Sequence, residues 1–203
     1  VEENKGLKDD MKSRLKKNAR YIISGLHVDN NNIDKAADQL KKLIKEDPEN
    51  PTFYNDLGFV WADHDKNLKE SEEMIRKALE LDAKARKKLL DEGKIDAEIA
   101  KKENAAYLDS LGWVLYKRGN LKEAKKYLQD AVKDDEEGAH IEIWDHLADV
   151  QLALGETDAA IAVWVKALKL EDVSKRDAER RKKITEKLKK ARAMLKDKEK
   201  PKE

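Results

Sequence analysis

The same order of small and large side chains occurs three times in this chain, from Pro51 to Asp82, from Ala105 to Asp135 and from Ile141 to Glu171. Each copy has a Leu followed by a small residue: Leu57-Gly58, Leu111-Gly112, Leu147-Ala148. A second small residue comes later (Ser71, Ala124, Ala160). Four positions on stands a large apolar residue (Ile75, Leu128, Trp164), and three further on an Ala (Ala78, Ala131, Ala167). Those intervals put the three residues on one face of a helix. Small residues let two antiparallel helices approach closely, and the large ones fill the space between. Neither helix alone can bury its apolar stripe, so neighbouring copies must stack. Gly119 and Gly155 mark the turn between the helices in two copies.

A fourth, degenerate copy precedes these. Ala36, Leu40, Leu43 and Pro48 match the small, large, apolar and closing positions of its second helix, and Ser24 stands where the other first helices have Gly or Ala. Its first helix is expected over residues 8–28, longer than the template needs. Two departures stand out. In the copy from Pro51 the turn glycine is replaced by His64-Asp65-Lys66-Asn67, where Asn67 or a neighbour can adopt the left-handed conformation. Residues 84–104 form an insert. Gly93 supplies a helix stop and Asp96 an N-cap, so two extended helices meeting near residues 92–95 are expected, as a projecting hairpin.

After the last copy, Ser174 and Asp177 have the spacing of a capping box, and Ile184, Leu188, Ala191 and Leu195 share a face. A cap helix is expected over 174–196, followed by a frayed charged tail, 197–203. Charge is divided along the chain. Residues 173–203 hold 14 basic and 6 acidic side chains, and the 172 residues before them 30 and 37. A basic helix on an acidic array is the expectation. With 43% charged and 39% hydrophobic residues, 8 Gly and 3 Pro, the composition suits a helical array and argues against an all-β fold.

The repeated pattern resembles the tetratricopeptide repeat, a helix–turn–helix of about 34 residues. The segments NDLGFVWAD, YLDSLGWVLYKRG and IWDHLADV look like bacterial members of that family. The resemblance implies an all-α fold: a right-handed α-solenoid, or superhelix, of about four repeats with a helical hairpin insertion and a C-terminal capping helix. One domain over 1–196 is expected, with repeats at 8–48, 51–83, 105–135 and 141–171.

Motifs of chemistry are absent from the sequence. There is no glycine-rich phosphate loop, no GxSxG elbow and no HExxH. With no Cys, disulfides, thiolate zinc sites and cysteine nucleophiles are excluded. Asp145, His146 and Asp149 are metal-ligand types, but His146 is turned about 100° from Asp145 and is read as structural. No catalytic residue, cofactor or metal is assigned, and the chain is not read as an enzyme. No apolar run is long enough to span a bilayer, and the segment from Val1 is charged rather than an apolar leader. A soluble protein of the cytoplasm or periplasm is expected.

In the family, one side of the first helices resembles the concave surface that binds partners. Take Gly58, Gly112 and Ala148, with Ser24 in the degenerate copy, as position 0. Residues at −3, +1, +4 and +5 then point roughly 40–140° to one side. The candidates drawn from these positions are Tyr21; Asn55 and Phe59; Asp109, Trp113, Tyr116 and Lys117; and Asp145, Asp149 and Leu152. The family's clamp for C-terminal carboxylates uses Lys, Arg and Asn there, whereas here Asp and aromatics dominate, which argues against it. The expected partner is a protein or peptide with basic residues, held by charge pairing and cation–π contact, with Trp113 and Tyr116 partly exposed. The competing reading is that Trp113 and Tyr116 pack against the neighbouring repeat or the projecting hairpin. The alternative function is nucleic-acid or anionic-surface binding through the basic C-terminal helix, which lacks aromatics for base stacking.

Overall fold

The computed structural model describes residues 2–134, 138–171 and 174–199. Among them the chain forms helices and no strand. They are α1 (Glu2–Asp29), α2 (Ile33–Glu46), α3 (Pro51–Asp63), α4 (Leu68–Asp91), α5 (Ala97–Lys101), α6 (Ala105–Lys117), α7 (Leu121–Ala131), α8 (Ile141–Ala153), α9 (Thr157–Ala167) and α10 (Lys175–Glu199). No helix is long and apolar enough to cross a membrane among the described residues. The chain divides into two compact units, Val1–Lys101 with α1–α5 and Lys102–Glu203 with α6–α10.

In the first unit, α1 packs on α2, α2 on α3 and α3 on α4. Ile33, Ala36, Leu40 and Leu43 form the buried stripe of α2, against Phe53, Leu57, Val60 and Trp61 of α3. Asn50 starts α3: its side chain accepts from the Thr52 N–H at 3.1 Å, and Pro51 follows with φ preset for a helix. Gly58 is where α3 meets α4. The Ser71 hydroxyl donates to the Gly58 carbonyl at 2.6 Å, and a Cβ on Gly58 would lie 2.5 Å from Ile75 Cγ1 and 2.8 Å from the Ser71 carbonyl. In the turn without glycine, Asp65 (φ 54°) and Asn67 (φ 44°) are both left-handed.

The insert departs from expectation in its second arm. Helix α4 runs on to Asp91 and ends at Gly93 (φ 67°). The Gly93 N–H donates to Leu90 O and the Lys94 N–H to Leu89 O, which closes the helix in the usual glycine stop. Asp96 then caps α5 through the Ile99 N–H at 2.8 Å. But α5 has only five residues, and α6 begins separately at Ala105. Asn104 is the cause. Its side chain accepts from the Tyr107 N–H at 3.0 Å, and that cap requires extended backbone at Asn104. Arg86 holds α5 to α4, pairing with Asp82 at 3.0 Å and donating to the Ala100 carbonyl at 2.8 Å. Leu89, Leu90 and Ile99 stay exposed.

In the second unit, α6 pairs with α7, α7 packs on α8, and α8 pairs with α9. Gly112 repeats the close approach, since a Cβ there would lie 2.5 Å from Leu128 Cγ. Ala124, Leu128 and Ala131 are fully buried, and Gly119 (φ 83°) and Gly155 (φ 80°) make the turns. Helix α10 caps the unit. Ile184, Leu188 and Ala191 close over Trp164, Ala160 and Ala167 of α9, while Leu195 is half-buried. Ser174 accepts from the Asp177 N–H at 3.2 Å, as the capping-box spacing predicts. Helix α10 runs on to Glu199, so the first three residues of the expected frayed tail are helical; residues 200–203 lie outside the described residues, as does Asp135 of the third repeat.

The interlock makes a direct prediction. Ala131→Leu puts three more heavy atoms into a filled contact and should destabilise the chain by about 1–3 kcal/mol. Urea unfolding checks it: an unchanged midpoint would mean that Ala131 does not sit at the helix contact.

Candidate partner-binding surface

The side chains at −3 do not face an open groove. Two of the four, Tyr21 and Asp109, reach the next first helix along the chain, at its −2 position. Tyr21 donates its hydroxyl to Asp56 Oδ2 at 2.7 Å, and its ring lies 5.8 Å from that of Phe53. His146 Nδ1 lies 2.8 Å from Asp109 Oδ1, with both residues buried. Two repeat contacts therefore carry the same polar clip, one in each unit. Asn55, also at −3, is buried, and its amide approaches Asp56 at 3.5 Å.

Asp145, the fourth residue at −3, is taken by α9 and α10 instead. It is 1% exposed. It accepts from Trp164 Nε1 at 2.9 Å, from Arg180 at 3.2 Å and from Lys187 at 2.8 Å. Lys187 also holds Asp149 at 2.6 Å, and Arg180 also pairs with Glu142. The three carboxylates expected to recognise a basic peptide are thus engaged inside the chain.

Trp113 corrects a second expectation. It is 9% exposed rather than open. One stacking partner is His146, with ring centroids 4.0 Å apart, and another is Tyr116, at 5.1 Å. Lys117 Nζ stands 5.1 Å over the Trp113 ring. The reading in which this Trp packs against a neighbouring repeat holds. The expected +1, +4 and +5 residues fare differently. Phe59, Tyr116, Lys117 and Leu152 are half-buried and keep part of their surface accessible, and Tyr21 is exposed along its ring.

The ionisable groups reflect this packing. Burial disfavours the His146 imidazolium, but the charge and hydrogen bond of Asp109 outweigh it, so His146 sits above its ordinary value. Burial raises Asp56, against the hydrogen bonds from Tyr21 and Asn55. Burial and the Asp145 carboxylate together raise Asp149, against the pull of Lys187. Among the described residues no group of three or more His, Asp or Glu side chains is placed to hold a metal ion.

A shallow groove of about 420 Å³ runs along α10, lined by Thr185, Leu188, Lys189, Arg192, Ala193 and Lys196.

Comparison with known proteins fits this geometry. Models of the tetratricopeptide repeat match residues 26–86, 104–134 and 141–173. The TPR repeat-containing protein PA4667 of Pseudomonas aeruginosa is 29% identical over 127 residues, which cover 61% of this chain and 18% of that protein. The match thus spans less than a fifth of that relative's length. Among solved structures, Pseudomonas aeruginosa pilF has a TM-score of 0.58 at 20% identity, covering 87% of this chain and 72% of that one. TTC0263, a TPR protein of Thermus thermophilus, has a TM-score of 0.56 at 19% identity, covering 83% and 81%. MamA has a TM-score of 0.52 at 20% identity, covering 87% and 96%. With its interlocked helix pairs and its matches in all three strong copies, the chain belongs to the tetratricopeptide repeat family.

Proposed function

We propose that this protein is a non-catalytic interaction scaffold, and that it holds a peptide or helix of a partner protein on the first-helix strip formed by Tyr116, Lys117 and Leu152 beside the edge of Trp113. Tetratricopeptide repeats generally mediate protein–protein interaction, which supports the broad reading. The observation that carries the finer one is the Trp113–Tyr116 stack. It is held rigid from behind by His146 and keeps one half-buried ring accessible. A fixed aromatic platform offers contact area at little entropic cost. The partner chemistry shifts accordingly. With Asp109, Asp145 and Asp149 already paired, an apolar or aromatic anchor on the partner suits the strip better than Lys or Arg, and Lys117 at the rim suits a partner carboxylate.

Peptides selected from a displayed library on the intact chain test this. Tyr116→Ala should weaken the selected peptides at least tenfold, about 1.4 kcal/mol, with the far-UV spectrum unchanged. Peptides that bind the Ala variant as tightly as the parent would refute the site.

The α10 groove favours a second reading, attachment to an anionic partner, because three of its six lining residues are basic and none is acidic. Nucleic-acid binding through it would weaken steeply with salt and would fall in a Lys189→Glu, Arg192→Glu variant.

A further inference from the structure

Helix α1 packs one face on α2 and, among the described residues, leaves an apolar face uncovered. Toward α2 it turns Lys17, Arg20 and buried Ser24, with Lys17 on Asp47 and Arg20 on Glu46. On the opposite face Met11, Leu15, Ile22 and Leu26 are 60%, 60%, 62% and 54% exposed. At roughly 100° per residue their 4, 7, 4 spacing keeps all four within an arc of about 60°, with Ala19 in the gap. Ile23, 43% exposed, stands about 60° beyond Leu26 and widens the stripe on that side, so these residues form one apolar face rather than scattered surface residues.

The register says what such a seam is for. Relative to Ser24, Ala19 and Leu26 stand at −5 and +2. In α3 the same positions are Phe53 and Val60, which are buried against α2, the second helix of the preceding pair. In α8 they are Ile143 and Val150, both buried, and α8 packs on the preceding α7. The uncovered stripe of α1 is therefore the face that α3 and α8 give to a preceding helix. At −2, where Asp56 and His146 receive polar clips, α1 has Ile22, which suits only an apolar contact.

Charge selects the kind of helix. From Met11 to Val28 there are five Lys or Arg side chains and no Asp or Glu. Lys12 and Lys16 lie on one flank of the seam and Arg14 on the other. We infer that α1 docks an amphipathic helix of a partner protein, with an apolar seam and acidic flanks. A second copy is disfavoured, since two α1 helices would set basic flank against basic flank. An anionic bilayer is disfavoured because Asp29 puts a negative charge in line with Met11 on the stripe and Asn18 borders it.

The probe is a synthetic 21-residue helical peptide with a Leu seam and Glu on both flanks, beside a twin with Lys flanks. Anisotropy with the full chain reads binding. The Glu peptide should bind at least tenfold tighter than its twin. A Leu15→Ser, Leu26→Ser variant should lose at least tenfold, and it should keep its helicity because both residues are exposed. Lys12→Glu with Lys16→Glu should reverse the preference between the peptides. The Tyr116→Ala variant should bind the Glu peptide unchanged, which separates this face from the proposed strip. Equal binding of the two peptides, or no binding of either, overturns the inference. So does sedimentation showing a dimer lost in the Ser variant, or cosedimentation with phosphatidylserine vesicles in place of peptide binding.

Discussion

Trp164→Ala is expected to be the most damaging single change in the chain, at about 5 kcal/mol, the upper end of the range for removing a large aromatic from a core. Two effects combine. The indole is fully buried at the meeting of α8, α9 and α10, so its removal opens a cavity among Ala160, Ala167, Ile184 and Leu188. It also removes the Nε1–H donor from Asp145, which is buried itself. Denaturant unfolding gives the magnitude, and amide exchange gives the place. Protection should fall across α8–α10 and stay unchanged across α2 and α3. A loss below about 1 kcal/mol would show that Trp164 is not the keystone of the cap.

Asp145→Ala comes next, at about 3 kcal/mol. Breaking a buried ion pair by removing one partner costs about 3–5 kcal/mol. The low end applies here because each cation retains a second carboxylate: Lys187 keeps Asp149 and Arg180 keeps Glu142. Asp145→Asn separates the contributions, since its amide oxygen still accepts from Trp164 but carries no charge. The Asn variant should lose less than the Ala variant and should release α10 to faster exchange. Asp145 and Trp164 share a hydrogen bond, so their effects should not add. Equal, additive losses in the two variants would contradict the shared contact.

Much of this fold is written locally. Ser71 to Ile75 and Ala124 to Leu128 are i, i+4 helical spacings, and each pair meets a glycine of the paired helix, Gly58 or Gly112, in close contact. Asn67, Gly93 and Asp96 act within a few residues, so their turn and cap roles are legible from residue type alone. Asn104 was as capable a cap as Asp96. Its cap starts α6 afresh at Ala105 and so cuts the second arm of the insert short.

The surface was harder to read because its partners are far apart in sequence. Tyr21 meets Asp56 across 35 residues, and Asp109 meets His146 across 37. Helix angle puts the −3 residues on one side of each first helix. It does not say that the next first helix lies close enough to use them. A signal was present: Tyr and Asp at −3 face Asp and His at −2 one repeat on, a donor–acceptor match visible once two repeats are aligned. The basic surplus of the C-terminal segment was equally visible. Its consequence is that Arg180 and Lys187 occupy the very carboxylates that seemed open to a partner.

The central claim is that Tyr21 and Asp109, at −3, join successive repeats rather than wait for a ligand. The most direct measurement is the coupling energy between Asp109 and His146, from unfolding of the parent, Asp109→Asn, His146→Asn and the double variant at several pH values. The folded-state value of His146 is raised above its ordinary 6.5. The charged coupling should therefore be complete below 6.5 and should decline as pH rises through the raised value. The account predicts a coupling of about 1–3 kcal/mol at low pH that shrinks on the alkaline side. Additive losses within about 0.5 kcal/mol and flat with pH would contradict it, and would return Asp109 to the open surface.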